Sequence, residues 1–252
     1  CVCRARSSRL RRRPYRRSRQ LSCPRCTADR AVLRRKERPA FPDADADYGL
    51  FDLFAGCGAL SVGFLLAGLE TGVELGSCLA IEREEPPARI YKNNIADVVE
   101  QTDIETLLDG QLGARLTAAE RKLRKQVGEL QIGLAGPPCQ GHSDLNNHTR
   151  RNDPRNQLYA RVARAAAVLE PTILCVENVP AIRNDEAGVL DTTRTELIRL
   201  GYAVADQVID MQLVGIPQRR RRHILLACAP GSANPEAVFE NLVGHPCSDH
   251  LP

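Results

Sequence analysis

The chain has 252 residues, 43% of them hydrophobic and 26% charged, which suits one sizeable α/β domain or two small ones and excludes fibrous, collagen-like and wholly disordered readings. Its best apolar run, Ala59 to Leu69, is about half the length of a membrane span, so no membrane association is expected. The formal net charge of +4 hides a division: residues 1–40 carry 15 Lys+Arg against two acids, a net +13, whereas the other 212 residues carry 20 against 29, a net −9.

Residues 1–45 are predicted to be a basic, disordered extension. Arg4, Arg6, Arg9, Arg11, Arg12, Arg13, Arg16, Arg17 and Arg19 follow no hydrophobic period. Such an arm either holds nucleic acid through phosphate attraction or is a passive solvated tail. The chain begins with Cys1 rather than Met, as expected of a fragment or a conceptual translation. Its ten cysteines do not form the even framework of a small secreted domain, and no secretory leader precedes them, so a reducing, cytoplasmic setting is expected. Of the pairs Cys1-x-Cys3 and Cys23-x-x-Cys26 only the second has zinc-ligand spacing, and no structured segment is predicted around either, so no metal is expected.

From residue 46 the pattern is that of a folded domain, predicted to run to about 230 and to leave 231–252 as a short C-terminal segment. An apolar run, Leu50 to Phe54, meets Ala55-Gly56-Cys57-Gly58, and Ala59 to Leu69 follows with helical spacing. A second strand, Ser77 to Ile81, leads through Glu82 to a helix near 87–94 with proline in its first turn. Residues 116–129 read as a charged surface helix capped by Thr117, with Glu120 completing a capping box. The strand Leu130 to Ala135, a polar loop to 153, a helix at 155–169, the strand Thr172 to Val176, a helix at 188–200 and strands near 202–210 and 222–228 complete the series. Strands alternating with helices predict a mostly parallel sheet covered on both faces. Ligands of such sheets lie at the carboxyl ends of the strands.

Four strand ends carry unusual residues. After the first, Asp52-Leu53-Phe54-Ala55-Gly56-Cys57-Gly58 forms a glycine turn into a helix N-terminus, where backbone can approach a ligand. Glu82 ends the next strand, placed to accept two ribose hydroxyls, and Asp103-Ile104 could meet an adenine amino group beside an apolar wall. The alternative for either acid is a helix N-cap. No third glycine completes a dinucleotide fingerprint, so the three features point to an adenosine cofactor. At the fourth strand, Gly136-Pro137-Pro138-Cys139-Gln140-Gly141-His142-Ser143 holds a thiol in a stiff turn, the setting of a cysteine nucleophile; His142, three residues on across a loop, is a weak candidate base. Glu177-Asn178-Val179-Pro180 puts a half-desolvated carboxylate after an apolar strand, suited to proton donation. In Gly215-Ile216-Pro217-Gln218-Arg219-Arg220-Arg221-Arg222-His223, extended backbone would place Arg220 and Arg222 on one face and Arg219 and Arg221 on the other.

The ordered set resembles the cytosine-5 DNA methyltransferase family over about residues 48–228. Asp52–Gly58 resembles its first cofactor motif, Glu82 and Asp103 its ribose and adenine acids, and Pro137-Pro138-Cys139-Gln140 its nucleophile motif. Arg155-Asn156-Gln157-Leu158 resembles the helix motif after the lid, Glu177-Asn178-Val179 the acid motif, and Gln218-x-Arg220-x-Arg222 the paired-arginine motif.

The resemblance implies a Rossmann-like, class I fold that uses S-adenosyl-L-methionine to methylate cytosine C5 in double-stranded DNA, the base being flipped from the helix. It makes Cys139 the nucleophile at C6, Glu177 the group holding N3, and Arg222, with Arg220 behind it, the holder of the base carbonyl. Asp52, Phe54, Ala55, Gly56, Gly58, Glu82, Asp103, Ile104, Pro138 and Leu158 fall to the cofactor, with adenine between Phe54 and Ile104. Gln140, Ser143, Arg150, Arg151 and Gln218 fall to DNA, the loop from Gln140 to Asp153 closing as a lid. A prokaryotic, nucleoid-associated modification methylase is expected; a tRNA-methylating member, or a binding module without turnover, are the alternatives. Ala59 stands where the family often has glycine, and Arg83 where it often has an aromatic over the cofactor. Residues 229–252 are too short for the family's target-recognition region and last motif, so a missing recognition domain or a complementing subunit, and weak activity alone, are expected.

Overall fold

The computed structural model describes residues 34, 36, 37, 39–138, 157–185, 188–214, 216 and 218–243. Two compact units are present, residues 1–40 and 41–252; every element below lies in the second. Most of the predicted basic extension, Cys139, the lid from Gln140 to Asp153 and the cysteine pairs near the N-terminus lie outside the described residues, whereas residues 34, 36, 37 and 39–45 of that extension are described and Phe41 packs against the core of Leu50 and Leu65.

Seven strands form a single sheet: β1 (Tyr48–Leu53), β2 (Leu75–Ile81), β3 (Val99–Glu100), β4 (Ile132–Ala135), β5 (Ile173–Asn178), β6 (Ala203–Asp210) and β7 (Arg221–Cys228). Their spatial order is β3-β2-β1-β4-β5-β7-β6, parallel except that β7 runs against β5 and β6. The expected mostly parallel α/β sheet is what the chain forms. The order reverses between β1 and β4, so the crevice of such a sheet opens outside their carboxyl ends. Because β7 is reversed, its amino end lies at the same rim, beside the carboxyl end of β5.

Helices α1 (Ala59–Thr71), α2 (Glu85–Asn94), α3 (Ile104–Leu107), α4 (Ala118–Val127), α5 (Gln157–Leu169), α6 (Val189–Arg199) and α7 (Pro235–Val243) link and cover the strands. Side-chain alternation along β1 separates two cores. Phe51 and Leu53 join Leu79, Ile81, Val162, Ala166, Val176 and Leu225 beneath α3 to α6, whereas Leu50 joins Leu65, Leu134 and Phe239 beneath α1 and α7. The predicted capping box on α4 is present, with Thr117 Oγ1 accepting from Glu120 N (3.2 Å) and Glu120 Oε2 from Thr117 N (2.8 Å).

Two departures bear on the site. The strand predicted to stop at Val176 continues to Asn178, because β7 extends the ladder and pairs Glu177 with Ile224 and Asn178 with His223. Residues 235–243, within the segment predicted as a short remnant, form α7, which buries Phe239 and packs on β6 and β7. Its start carries a readable signal: Pro235 in the first turn, preceded by Asn234, whose Oδ1 accepts from Glu236 N at 2.9 Å.

Candidate active site

A cleft of about 380 Å³ opens at the carboxyl ends of β1, β2 and β4, lined by Phe54, Ile81, Glu82, Arg83, Glu84, Thr102, Asp103, Ile104, Gly136, Pro138 and Leu158. Six of the ten residues expected to hold a cofactor are therefore brought together, although they come from five separate stretches of chain. Phe54 adopts left-handed backbone (φ 57°), uncommon for a residue with a Cβ, and this turns the chain out of β1 at the cleft.

Glu82 is fixed by backbone amides at both oxygens. Gly56 N donates to Oε2 and Glu84 N to Oε1, each at 2.8 Å. The glycine turn and the acid after β2 are thus one unit, and each carboxylate oxygen keeps a lone pair for a ligand hydroxyl. Asp103 caps α3, Oδ1 accepting from Glu105 N at 3.0 Å, while Oδ2 lies 4.0 Å from Arg83. The cap and the cleft position coincide in a single residue. Arg83 also reaches Glu84 Oε1 through Nε (3.0 Å) and Nη2 (2.9 Å), so its guanidinium spans this edge of the cleft.

Four of the ten are not on the lining. Ala55, Gly56 and Gly58 belong to the turn itself. Gly56 has open space where a Cβ would stand, but a Cβ on Gly58 would run into Ile95 and Tyr91, so that glycine serves close packing of α2 as well as its left-handed φ of 86°. Asp52 lies beneath the turn, 1% exposed, with Oδ2 accepting from Ser61 Oγ at 2.6 Å. Ser61 is 2.9 Å from Tyr91 Oη, which is 2.8 Å from Ser77 Oγ, giving a buried polar chain that ties α1, α2 and β2 together. Burial pushes the Asp52 carboxyl up to about 6, partly offset by the Ser61 hydrogen bonds and reinforced by the charge of Glu82.

The other half of the site lies where β5 and β7 meet. Glu177 Oε1 sits 2.6 Å from Arg222 Nε and 3.6 Å from Arg220 Nη2. Glu177 pairs in register with Ile224, so Arg222, two residues away on the same face, crosses to it diagonally. The alternation read from the arginine run is thus realised for Arg220 and Arg222, which reach Glu177 although Arg220, like Gln218, Arg219 and Arg221, is exposed. Buried Asn178 donates through Nδ2 to Pro137 O (3.4 Å) and accepts from Val179 N at Oδ1 (2.7 Å). This joins the acid strand to the proline turn that precedes Cys139.

Residues of consequence escaped the sequence reading. Ile81, Thr102 and Gly136 line the cleft as direct neighbours of residues that were read, and position at a strand end was their available signal. Asp206 is 5% exposed at its side chain and is gripped by Arg183 (2.7 Å), Arg194 and His223 Nε2 (2.9 Å). Burial first, and then the two arginines, push the His223 imidazole down to about 4. Nothing local in the sequence marks that cluster. Among the described residues no group of side chains is arranged to hold a metal, and no helix is long and apolar enough to cross a membrane.

Residues 48–246 match the family model described as C-5 cytosine-specific DNA methylase. Type II methyltransferase M1.BsuMI of Bacillus subtilis (strain 168) is 38% identical over 200 residues, 79% of this chain and 47% of that protein. DNA (cytosine-5)-methyltransferase PliMCI of Paracentrotus lividus is 35% identical over 188 residues, 73% of this chain and 11% of that one. The chain thus spans about half of the first relative and a small part of the second. Among solved structures, Dnmt2 methyltransferase of S. pombe superposes with a TM-score of 0.58 at 20% identity, covering 81% of this chain and 58% of that one. A putative DNA modification methyltransferase encoded within a prophage (E. coli) gives 0.56 at 24%, covering 73% and 47%. At those identities the likeness speaks for the fold alone, that of the class I methyltransferases.

Proposed function

The chain belongs to the C-5 cytosine-specific DNA methylase family, and from that premise we propose that it transfers the methyl group of S-adenosyl-L-methionine to C5 of cytosine in DNA, through a covalent adduct on Cys139. The observation that carries the reading is the Glu177 carboxylate, 2.6 Å from Arg222 at the sheet rim, tied through Asn178 to the turn whose next proline, Pro138, lines the cleft. Residues 46–230 are proposed as the catalytic domain.

The cleft suits the cofactor in size and in donor set. Its volume falls in the range of small-molecule sites, about 300–1,000 Å³. Glu82 would hold the ribose hydroxyls, Asp103 the adenine amino group, Phe54 and Ile104 the faces of the adenine, and Pro138 and Leu158 the methionine end, with the backbone of Ala55–Gly58 as floor. S-adenosylmethionine, when bound, supplies a methyl group on a sulfonium.

A cytosine ring is too electron-poor at C5 to accept that group unaided. As the Cys139 thiolate adds to C6, Glu177, carrying a proton, delivers it to N3, so the ring does not keep the negative charge that the addition pushes into it. C5 then has the character of an enamine carbon. Arg222 holds the base carbonyl, with Arg220 behind it, and the ion pairs keep Glu177 oriented before the base arrives. Once C5 has taken the methyl group, its proton passes to water, the electron pair returns to the ring, N3 gives its proton back to Glu177 and the cysteine sulfur leaves as thiolate. The base must leave the duplex stack to reach these groups. Gln140, Ser143, Arg150, Arg151 and Gln218 are proposed contacts to the DNA around it, and choice of target sequence is assigned to a recognition region or complementing subunit outside residues 48–246.

The test is a trapping experiment with the full chain, S-adenosylmethionine and a duplex containing 5-fluorocytosine. A covalent complex that disappears in Cys139→Ala is expected. A salt-sensitive complex without adduct would make the protein a nucleic-acid binder, and an adduct formed only on fluorinated tRNA would move the substrate to RNA.

A further inference from the structure

Three residues on one side of α5, at steps of three, all reach toward the chain between Asp103 and Glu120. Leu158 lines the cleft. Arg161 donates through Nε to Glu105 Oε1 (3.0 Å), holds the same carboxylate through Nη2 (2.9 Å), and donates through Nη1 to Gly110 O (2.7 Å). Arg164 grips Glu120 from inside the core, and Glu120 Oε1 accepts from Gly110 N at 3.0 Å. The Gly110 residue is therefore held at its carbonyl by Arg161 and at its amide by Glu120.

The segment held in this way needs it. Helix α3 has only four residues, too few to be stable alone, yet its cap, Asp103, and its first residue, Ile104, line the cleft. Arg83 approaches Asp103 on one side of Ile104, and Arg161 binds Glu105 on the other. Leu158, on the same helix as Arg161, lines the same cleft. One guanidinium thus ties α5 to the segment that carries Asp103 and Ile104, although Arg161 is not itself among the lining residues.

We propose that Arg161 is a positioning residue for the cofactor, setting through Glu105 and Gly110 the place of the Asp103–Ile104 wall that receives the adenosine. The inference rests on the cofactor reading of the cleft. It attributes to the ion pair a role in affinity, beyond a share in holding the fold together.

The experiment is isothermal titration of S-adenosylhomocysteine and, separately, adenosine into the full chain and its Arg161→Ala, Arg161→Lys and Glu105→Arg/Arg161→Glu variants, each with its thermal midpoint. Arg161→Ala is expected to weaken both ligands by the same factor, on the order of tenfold, because the disturbed wall belongs to the end they share. The charge-exchanged double variant should recover the part of that loss carried by Glu105, though not the Gly110 part, because a carboxylate at 161 cannot donate to a carbonyl. Arg161→Lys, which cannot form the fork, should fall between. A lowered midpoint with undiminished affinity would make the pair merely structural and overturn the inference, as would an equal loss in the double variant. Failure of the wild type to bind S-adenosylhomocysteine would overturn the cofactor reading and the inference together.

Discussion

Phe54 combines a backbone cost with a side-chain use. Its left-handed conformation disfavours any residue with a Cβ by about 1–2 kcal/mol, yet that turn is what brings its ring to the cleft. Phe54→Gly removes the cost and the ring together. It is expected to leave the urea midpoint close to wild type and to weaken S-adenosylhomocysteine on the order of tenfold, the scale of an aromatic face lost from an apolar wall; unchanged affinity in a titration would remove Phe54 from the cofactor site. At Glu177 the expectation falls on rate. Glu177→Gln keeps the shape but loses the charge that Arg222 and Arg220 share, so single-turnover methyl transfer should drop at least about 100-fold with cofactor affinity intact, and equal losses in both would mean that the pair holds the cleft rather than the base. Glu82, Asp103 and Ile104 were placed near one another because chemistry-bearing residues stood at the ends of apolar runs, whereas Pro138 and Leu158 entered through the family resemblance. Asp52 and Gly58 show the limit of that reading: the pattern gives a position along the strand but not which neighbour a side chain meets, and here Ser61 claims one, while Ile95 and Tyr91 crowd the other.

Among the elements, α5 is the one whose sequence misleads most. Arg164 falls among alanines and valines and by composition should point to solvent, yet it is 1% exposed and Glu120, its partner, is 0%. The guanidinium is satisfied by both Glu120 oxygens and by the carbonyls of Ala114 and Arg115. Such a pair adds little over an apolar substitute, but breaking it strands a buried charge. Arg164→Leu should therefore cost about 3–5 kcal/mol in urea unfolding, against less than about 1 kcal/mol for Arg124→Leu, whose bond to Glu170 is exposed; similar losses would mean that water reaches the Glu120 site. Helix existence was legible from period and caps, the Thr117–Glu120 box most clearly, since those signals are local. The second duty of Glu120, as the anchor of Arg164 and Gly110, joins residues far apart in the chain and leaves no local mark.

Across the whole molecule the parallel core was readable from the alternation of strands and helices, but the reversal of β7 was not, and that reversal is what carries Arg220 and Arg222 to Glu177. The same assembly buries two titratable groups whose effects on stability oppose each other, Asp52 beneath the glycine turn and His223 under the β5–β7 rim. Asp52, pushed up to about 6 by burial, binds a proton more readily folded than unfolded. Its favourable contribution is therefore present at low pH and lost as pH rises from about 4 to 6. His223, pushed down to about 4, is neutral in the fold while the unfolded chain still takes up a proton, so its contribution grows from about pH 4 to about 6.5. Glu120 and Glu196, held below the ordinary range through their arginine partners, add stability that is lost only on further acidification. Between pH 4 and 6 the first two trends offset each other. Asp52→Asn keeps an acceptor for Ser61 and removes the titration, so its stability relative to wild type should rise by about 2 kcal/mol between pH 4 and pH 7. Urea midpoints at intervals across that range provide the measurement: a widening gap between variant and wild type is expected, and parallel profiles would mean that Asp52 already ionises at an ordinary pH in the folded protein.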